Sequence, residues 1–278
     1  MDKKILDHAQ VLQLLPDRDP FAHKGNFGRL LLLCGSRGYT GAAALAAMGC
    51  LRSGAGLVFL GVPESIYAIE AVKLTEAIVL PLPDSQGRFA ASAVSNLEQL
   101  LFNKDAVLIG PGLGQSEGAL AVLQYVMENY SGPVVVDADG INLLAAHRDL
   151  LRRRNAVTIL TPHAGEFARL APQYQDRPVD FAKDYGCILV LKGHHTLTTD
   201  GRICYENRTG NPGMAVGGSG DVLAGILTGL LGQGIAPLQA AGAAVWLHGA
   251  AGDLCAQRLG QYAMLPTDLL CDLPRLLK

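Results

Sequence analysis

The sequence predicts a three-layer α/β/α protein, in which helices cover both faces of a mostly parallel central sheet. Short, continuously apolar runs recur along the chain, and longer segments rich in Ala and Leu separate them. Continuous rather than alternating apolarity indicates strands that are buried on both faces. Hydrophobic residues make up 49% of the chain and charged residues 17%, which excludes a disordered chain and supplies a sizeable core.

Most of the apolar runs are followed by Gly, Pro or Asp, which favours a strand that ends in a turn. The predicted strands are Arg29–Leu33, Leu57–Leu60, Ala77–Leu80, Ala106–Ile109, Pro133–Val136, Ala156–Leu160 and Cys187–Leu191. The helices predicted between them are Ala42–Ser53, Ser65–Lys73, Ala93–Phe102, Gly118–Glu128, Ile141–Ala146, Gly165–Leu170 and Val179–Tyr185.

The pattern changes after the last of these strands. The segment HTLTTDGRICYEN alternates around Asp200 and Gly201, a pair typical of a two-residue hairpin turn, and predicts an antiparallel edge of the sheet. The remainder predicts helices only, at Gly220–Leu231, Pro237–Arg258 and Pro266–Leu276. No linker-like composition divides the 278 residues, so we expect a single domain spanning residues 1–278.

Charge and cysteine content narrow the class of protein. The chain carries 23 basic and 25 acidic side chains, and its only short basic run, residues 152–154, is isolated, so nucleic acid is not an expected partner. The N-terminus has no apolar signal region and no window is apolar enough for a membrane span, which predicts a cytoplasmic protein. The six cysteines lie apart, mostly in apolar runs, and are expected to be buried thiols: Cys34, Cys50, Cys187, Cys204, Cys255 and Cys271.

The segment GGSGD, residues 217–221, stands where a long apolar helix begins. Its glycines leave backbone N–H groups uncovered, so several amides can converge on an anion at the positive end of the helix. This arrangement predicts a site for a phosphate group or a developing oxyanion. Asp221 is a candidate general base for a hydroxyl that attacks a phosphoryl group. A tight turn in which Asp221 only complements the helix dipole is the alternative.

Two further polar blocks follow buried strands, at the edge where open α/β sheets bind ligands. KGHHT begins at Lys192, a candidate phosphate contact, although a solvated lysine at a hairpin entrance also fits. TPHAGE contains His163 at the start of a helix, where a capping role is the simplest interpretation. Glu166 in the same block is a candidate magnesium ligand or a surface glutamate of the first helical turn.

Other strand ends carry further candidates. In IGPGLG, Gly112 allows a bulky ligand to approach the backbone, unless the block is simply a turn. VVVDADGIN places Asp137 and Asp139 where both cannot face the core, so at least one is expected to point into a cleft and to orient magnesium or phosphates. Helix capping by Asp139 is the alternative. His248 in WLHGAAGD lies on a long apolar helix and is assigned to packing.

Together the blocks resemble one family. GNPGMAVGGSGDVLAG resembles the anion-hole and catalytic-base motif of ribokinase-like proteins, and in detail that of ADP/ATP-dependent NAD(P)H-hydrate dehydratases. Ala164 stands where that family usually has Pro. The resemblance covers nearly the whole chain and implies a ribokinase-like fold. The other matching blocks, in order, are HKGNFGRLLLLCGS, GAAALAAMGCLRSGAGLV, IGPGLG, VVVDADGINLLA, ILTPHAGEFARL, LVLKGHHTLTTDG and AAVWLHGAAGD.

Enzymes of this family repair nicotinamide cofactors whose reduced ring has been hydrated. The resemblance implies that a nucleotide phosphorylates the ring hydroxyl of the (S)-hydrate and that phosphate then leaves, restoring NADH or NADPH. Phosphate is a far better leaving group than hydroxide, which is why a nucleotide is needed. We expect ADP, or else ATP, as co-substrate, with AMP and phosphate as the products from ADP, and Mg²⁺ as cofactor.

The resemblance also assigns roles to single residues. Asp221 would be the base, beside an anion hole formed by the backbone amides of Gly218, Ser219 and Gly220. The residues expected to bind the hydrated cofactor are Ala43, Gly112, His163 and Asp221. Those expected to bind the nucleotide are Lys192, Gly193, His194, His195, Thr196 and Gly220. The metal ligands stay open, with Glu166 and Asp137 as candidates.

Two alternatives retain parts of this site. A kinase of the same fold, of the hydroxyethylthiazole or pyrimidine type, would share the Asp221 chemistry and leave phosphate on its product. A regulatory protein could bind nucleotide without turnover. The HKGNFG block begins at His23, which leads us to expect a stand-alone dehydratase and makes a separate NAD(P)H-hydrate epimerase a candidate partner. The apolar C-terminal helices and the resemblance imply a homo-oligomer, a tetramer in this family.

Overall fold

The structure is a computed structural model that describes residues 3–277. Its strands are β1 Lys3–Lys4, β2 Arg29–Leu33, β3 Leu57–Pro63, β4 Ile78–Leu82, β5 Asp84–Ser85, β6 Arg88–Phe89, β7 Ala106–Ile109, β8 Val134–Val136, β9 Thr158–Leu160, β10 Ile188–Leu191, β11 Leu197–Thr199 and β12 Cys204–Glu206.

The helices alternate with the strands until β10 and dominate the chain after β12. They are α1 His8–Leu14, α2 Thr40–Arg52, α3 Tyr67–Lys73, α4 Leu97–Leu101, α5 Glu117–Asn129, α6 Asp139–Ala146, α7 Asp149–Arg153, α8 Ala164–Leu170, α9 Pro178–Tyr185, α10 Ser219–Gly232, α11 Pro237–Leu259 and α12 Pro266–Asp272. Short 3₁₀ turns lie at Lys24–Phe27, Glu64–Ile66, Ala91–Asn96, Pro172–Tyr174, Pro212–Met214 and Leu273–Leu276.

A ten-stranded sheet forms the middle layer, in the order β1-β12-β11-β10-β9-β8-β7-β2-β3-β4. The strands from β10 to β4 are parallel, whereas β11 runs antiparallel to both β10 and β12. A separate two-stranded ribbon joins β5 to β6. The mostly parallel α/β prediction is therefore confirmed, and the antiparallel hairpin lies toward one edge, which β1 covers.

Each central strand contributes alternate residues to two apolar cores. Leu30 and Leu32 of β2 pack on one face with helices α2, α10, α11 and α12. Leu31 and Leu33 pack on the other face with helices α4 to α9. All four leucines have no exposed surface, as the continuous apolarity of the run predicted.

Helices α2 and α10 cross at glycines. A Cβ atom on Gly225 would collide with the carbonyl oxygen of Ala46, and one on Gly229 would collide with the hydroxyl of Ser53. Gly49 of α2 meets α10 in the same way, because its Cβ would lie 2.7 Å from the carbonyl oxygen of Val222. In the sequence, the spacing of four residues between Gly225 and Gly229 predicts close helix packing. The structure confirms this prediction, and the packing fixes the position of the first turn of α10.

The predicted elements differ from the observed ones mainly where local polar contacts determine the backbone conformation. The prediction of a two-residue turn is wrong, because Thr199 pairs with Cys204 and four residues form the loop. The reason is that Asp200 accepts hydrogen bonds from the amides of Arg202 and Ile203, each at 2.8 Å, which opens the turn. Helices α1 and α7 were not predicted, because both are short, with seven and five residues.

The cysteines and the membrane prediction can be compared directly with the structure. Five of the six cysteines are buried, as expected, and Cys271 is exposed. Among residues 3–277, no helix combines the length and the apolarity that crossing a bilayer requires.

Candidate active site

A cleft of about 810 Å³ opens at the carboxyl ends of β8, β9 and β10. The first turn of α10 and one face of α11 form its other walls. The structure brings most of the predicted residues together in its lining, namely Asp137, His163, Lys192, Gly193, His194, Thr196, Gly218, Ser219, Gly220 and Asp221. The rule that open α/β sheets bind ligands at the carboxyl ends of their strands therefore brings these residues to one cleft.

The glycine-rich segment forms the start of α10, with Gly218 as the N-cap at φ +99°. Among the described residues, the amides of Gly218, Gly220 and Asp221 have no acceptor, so they are available to an anion at the positive helix end. The amide of Ser219 is different, because it donates to the carbonyl of Val216 at 3.2 Å. We therefore correct the predicted anion hole: the turn itself occupies the Ser219 amide.

Beneath this turn lies a buried ion pair. The Nζ atom of Lys192 is 2.8 Å from Oδ1 of Asp137, and the hydroxyl of Thr161 donates to the same oxygen at 2.8 Å. The Asp137 side chain is 1% exposed. A Cβ on Gly220 would be 3.2 Å from Nζ, so the missing side chain allows the ammonium group to approach the helix start. Lys192 is thus not the solvated lysine of the alternative interpretation.

Charges in the cleft set the protonation of Asp221. The pKa of Asp221 is raised to about 7. Burial is the main cause, and the carboxylates of Asp137, Asp139 and Glu166 also raise it, whereas the ammonium group of Lys192 lowers it by less. For Lys192, burial alone would lower the pKa, but the carboxylates of Asp137, Glu166 and Asp221 outweigh it and the pKa is raised. Asp221 is therefore near half ionised at neutral pH, as a general base requires, while Lys192 stays charged.

His163 combines a capping role with a place in the cleft wall. Its Nδ1 accepts hydrogen bonds from the amides of Gly165 at 3.0 Å and Glu166 at 3.3 Å, so the proton of the neutral ring is on Nε2. Nε2 is 3.4 Å from Oε1 of Glu166, whose Oε2 accepts from the backbone amide of His163 at 2.8 Å. Glu166 is buried, so its interpretation as a surface glutamate is wrong.

The loop from Lys192 to Thr196 closes on itself. The Thr196 hydroxyl donates to the carbonyl of Gly193 at 3.1 Å and lies 3.3 Å from the Gly193 amide. His194 lines the cleft, and the ring of His195 stacks on it with centroids 4.3 Å apart. His195 itself is outside the lining, so the structure brings four of these five residues to the cleft.

Two predicted cofactor contacts lie away from this lining. Ala43 is fully buried, and Ala42 is the partly exposed neighbour, so the structure does not bring Ala43 to a surface that a ligand can reach. The alanine run explains this one-residue ambiguity. Gly112, at φ +61°, lies against Tyr39 and Ala42, and the hydroxyl of Ser36 donates to its carbonyl at 2.7 Å. Gly112 thus joins the loop after β7 to the start of α2.

The HKGNFG block lies at the opposite end of the sheet from the cleft, because it precedes β2, whereas the cleft residues follow parallel strands. Its glycine serves packing: Gly28, at φ +92°, leaves no room for a side chain beside Gly232 at the end of α10. The block supports α10 from below and contributes no group to the cleft lining.

Sequence reasoning missed the contribution of α11 to the site. The hydroxyl of Thr209 donates to the carbonyl of Trp246 at 3.0 Å, and Asp253 accepts from the Gly210 amide at 2.9 Å and from the Asn211 side chain at 3.0 Å. His248, assigned to packing, lines the cleft and lies 3.2 Å from the hydroxyl of Ser219. The WLHGAAGD block was the signal, since polar residues recur on an otherwise apolar helix.

The carboxylates around α10 also decide what kind of metal site is compatible with the cleft. Within residues 3–277, no group of three or more His, Cys, Asp or Glu side chains is arranged to hold an ion. Oδ1 of Asp137 is engaged by Lys192 and Thr161, and both oxygens of Glu166 lie against His163. A magnesium ion that keeps several waters and binds mainly through substrate phosphates needs only one or two carboxylates, and the residues present fit such an ion.

Fold and site together define a class of protein: an α/β/α protein with a helix start, a lysine and a carboxylate arranged around a cleft for a phosphoryl group. The comparisons with known proteins identify the family within that class. Residues 30–275 match the family model described as NAD(P)H-hydrate dehydratase. The chain belongs to this family, and its fold is ribokinase-like.

Three relatives illustrate the similarity. A bifunctional NAD(P)H-hydrate repair enzyme from Moorella thermoacetica is 41% identical over 100% of this chain and 54% of its own length. An ADP-dependent (S)-NAD(P)H-hydrate dehydratase from Listeria monocytogenes is 33% identical over 99% of this chain and 96% of its own. An ADP/ATP-dependent NAD(P)H-hydrate dehydratase from Bacillus subtilis, co-crystallised with ATP/Mg²⁺, is 31% identical over 99% and 98% of the two chains, with a TM-score of 0.82. The chain spans about half the length of several curated relatives that it matches.

Proposed function

We propose that this protein dehydrates the (S)-hydrates of NADH and NADPH at the expense of a nucleotide, with ADP as the main co-substrate and AMP and phosphate as its products. One observation carries the proposal: the carboxylate of Asp221, with a pKa of about 7, lies at the helix start whose amides are open to an anion. The names of the Listeria and Bacillus relatives support the same substrate and nucleotide.

The residues of the cleft divide the proposed reaction between them. Asp221 takes the proton of the ring hydroxyl while that oxygen forms its bond to the transferring phosphoryl group, whose bond to the rest of the nucleotide breaks. The amides of Gly218 and Gly220 stabilise charge on the phosphoryl oxygens. The carbon–oxygen bond then breaks, phosphate leaves with the bonding pair, and the adjacent ring carbon loses a proton, which restores the double bond.

Lys192, Gly193, His194, His195 and Thr196 are proposed to hold the nucleotide, since four of them line the cleft beside α10. His163 is proposed to contact the hydrated ring with its exposed edge, while its Nδ1 stays engaged in capping α8. Gly112 and the start of α2 would border the nicotinamide end. Magnesium would neutralise the nucleotide phosphates, held through water by Asp137 and Glu166.

Assembly and cellular setting are part of the proposal. We expect a homo-oligomer, a tetramer by the family resemblance, in the cytoplasm. Several matched relatives are named as bifunctional repair enzymes. That supports cooperation with an epimerase that interconverts the two hydrate forms.

The decisive experiment supplies the purified protein with hydrated NADH or NADPH and either ADP or ATP, plus Mg²⁺, and follows the absorbance of the reduced ring. Recovery of that absorbance with stoichiometric phosphate release is the expected result, faster with ADP. A small-alcohol kinase would instead leave the hydrate unchanged and transfer phosphate to hydroxyethylthiazole or a pyrimidine alcohol. The relatives named above give that alternative no support.

A further inference from the structure

His248 borders the cleft at the point where α11 passes the first turn of α10. Its Nε2 atom lies 3.2 Å from the hydroxyl oxygen of Ser219. Both residues line the cleft, and Ser219 follows the helix N-cap Gly218 directly. A polar side chain of α11 is therefore hydrogen-bonded to the same helical turn that carries Asp221.

A serine hydroxyl next to a histidine also raises the question of a nucleophile with its base. Two observations oppose it. Burial lowers the pKa of His248 to about 4, so the ring is neutral at physiological pH and is a weak base. Among the described residues, no carboxylate bonds to its other ring nitrogen, so the third member that orients such a pair is missing.

The surrounding contacts indicate a different task. Helix α11 also holds the loop that leads into α10, through Thr209 on the carbonyl of Trp246 and through Asp253 on Gly210 and Asn211. Gly249 has no side chain, which lets Thr209 approach the helix. The hydrogen bond from His248 to Ser219 continues this series of contacts to the end nearest Asp221.

We propose that His248 is a positioning residue, whose hydrogen bond to Ser219 fixes the first turn of α10 and so aims the Gly220 amide at the transferring phosphoryl group and the Asp221 carboxylate at the attacking hydroxyl. The need for it follows from the sequence, because a start made of Gly218 and Gly220 has little conformational preference of its own. The catalytic consequence rests on the proposed function; the ordering of the turn does not.

The test compares His248→Gln, which keeps a hydrogen-bonding nitrogen at the position of Nε2, with His248→Leu, which does not. We expect kcat of the Leu variant to fall on the order of 10- to 100-fold with KM changed by less than about threefold, and the Gln variant to recover most of the rate. In a Ser219→Ala background, His248→Leu should cause no further loss, because both act through one bond. His147→Leu, the same change outside the cleft lining, is the matched control and should leave kcat unchanged.

Amide hydrogen exchange of residues 217–223 provides a readout that does not depend on the reaction. We expect faster exchange there in His248→Leu, exchange like the wild type in His248→Gln, and no change in the other segments. Losses of kcat that add in the double variant, or an unchanged kcat in His248→Leu, would overturn the proposal. A wild type without dehydratase activity would refute the proposed function instead. Amide hydrogen exchange would then still test the role of His248, because exchange in residues 217–223 that is unaltered in His248→Leu would contradict that role.

Discussion

The environment that raises the pKa of Asp221 also lowers the stability of the folded protein. Its pKa of about 7 in the folded protein lies above its ordinary value of 3.8, so between these pH values the folded state binds a proton that the unfolded state has lost. Stability is therefore lost as pH rises through this window, and the full cost is present above pH 7. In the proposed reaction, this unfavourable setting is what makes the Asp221 carboxylate a base near neutral pH.

Asp221→Asn should separate the two effects. We expect turnover to fall by about 10²- to 10⁴-fold, since the variant has no base, while nucleotide affinity changes little. The same variant should be more stable than the wild type at pH 8, by about 1–3 kcal/mol, and the difference should shrink toward pH 5. Thermal denaturation at the two pH values measures it. A variant with normal turnover, or one equally destabilised at both pH values, would contradict the assignment.

The wild-type rate should show the same group. Because the base acts when ionised, kcat is expected to rise with pH with a midpoint near pH 7 and to level off above it. The rate–pH profile from about pH 5.5 to pH 8.5 tests this, with protein stability confirmed at each point. A profile that is flat across neutral pH would exclude Asp221 as the base.

Sequence reasoning located many single residues of the site but not their contacts. Asp137, His163 and Lys192 follow strands, so the rule for open sheets places them in one cleft. Their ion pairs could not be read from the sequence, because the partners Asp137 and Lys192 are far apart along the chain. Nor does any local pattern indicate the φ of +48° at Ala138, a strained value that turns the chain between Asp137, which lines the cleft, and Asp139, which accepts a hydrogen bond from the Gly114 amide.

At the level of elements, the glycines of α10 allow close packing against α2, and the same helix carries Asp221, the proposed base. Six of the seven predicted strands agree with the observed ones to within two residues at both ends, because continuous apolar runs encode burial on both faces; Leu57–Leu60 ends three residues earlier than the observed β3. The pairing of α2 with α10 is a tertiary contact that periodicity does not specify, although Gly225 and Gly229 indicated a close approach. The start of α10, and thus Asp221, is held by that approach.

Gly225→Ala should separate α2 from α10. The added Cβ would collide with the carbonyl oxygen of Ala46, and overpacking of this kind costs about 1–3 kcal/mol, more than the helix propensity gained by Ala. We expect a lower free energy of unfolding, measured by urea denaturation, and a reduced kcat because the helix start moves.

Gly41→Ala is the matched control for that variant. A Cβ on Gly41 has no neighbour within 4 Å, and the residue lies in the first turn of α2, so its substitution should leave stability unchanged or raise it by up to about 1 kcal/mol. Equal effects at the two positions would show that helix propensity, rather than contact between the helices, determines the change in stability.

At the scale of the whole molecule, the topology assembles charges from distant parts of the chain. Asp137 follows β8, Glu166 lies in the first turn of α8, Lys192 follows β10 and Asp221 begins α10. Because parallel strands end at the same edge, Asp137, Lys192 and Asp221 line one cleft, and Glu166 lies close enough to raise the pKa of Asp221. Burial has the largest effect on the pKa of Asp221, and the balance between these carboxylates and the ammonium group of Lys192 adds to it.

This balance predicts opposite shifts from the two members of the buried ion pair. Lys192→Met removes the charge that lowers the pKa of Asp221, so the midpoint of the rate–pH profile should move by about one unit to higher pH. Asp137→Asn removes a charge that raises it, so the midpoint should move to lower pH.

Either change leaves a buried charge without its partner and should cost stability, by about 3–5 kcal/mol at most. The double variant Asp137→Asn/Lys192→Met removes both charges, and its midpoint should return toward that of the wild type, even though we expect Lys192→Met to weaken nucleotide binding. Rate–pH profiles at saturating nucleotide measure all three midpoints, and shifts of the same sign in both single variants would show that the charges gathered by the sheet do not control Asp221.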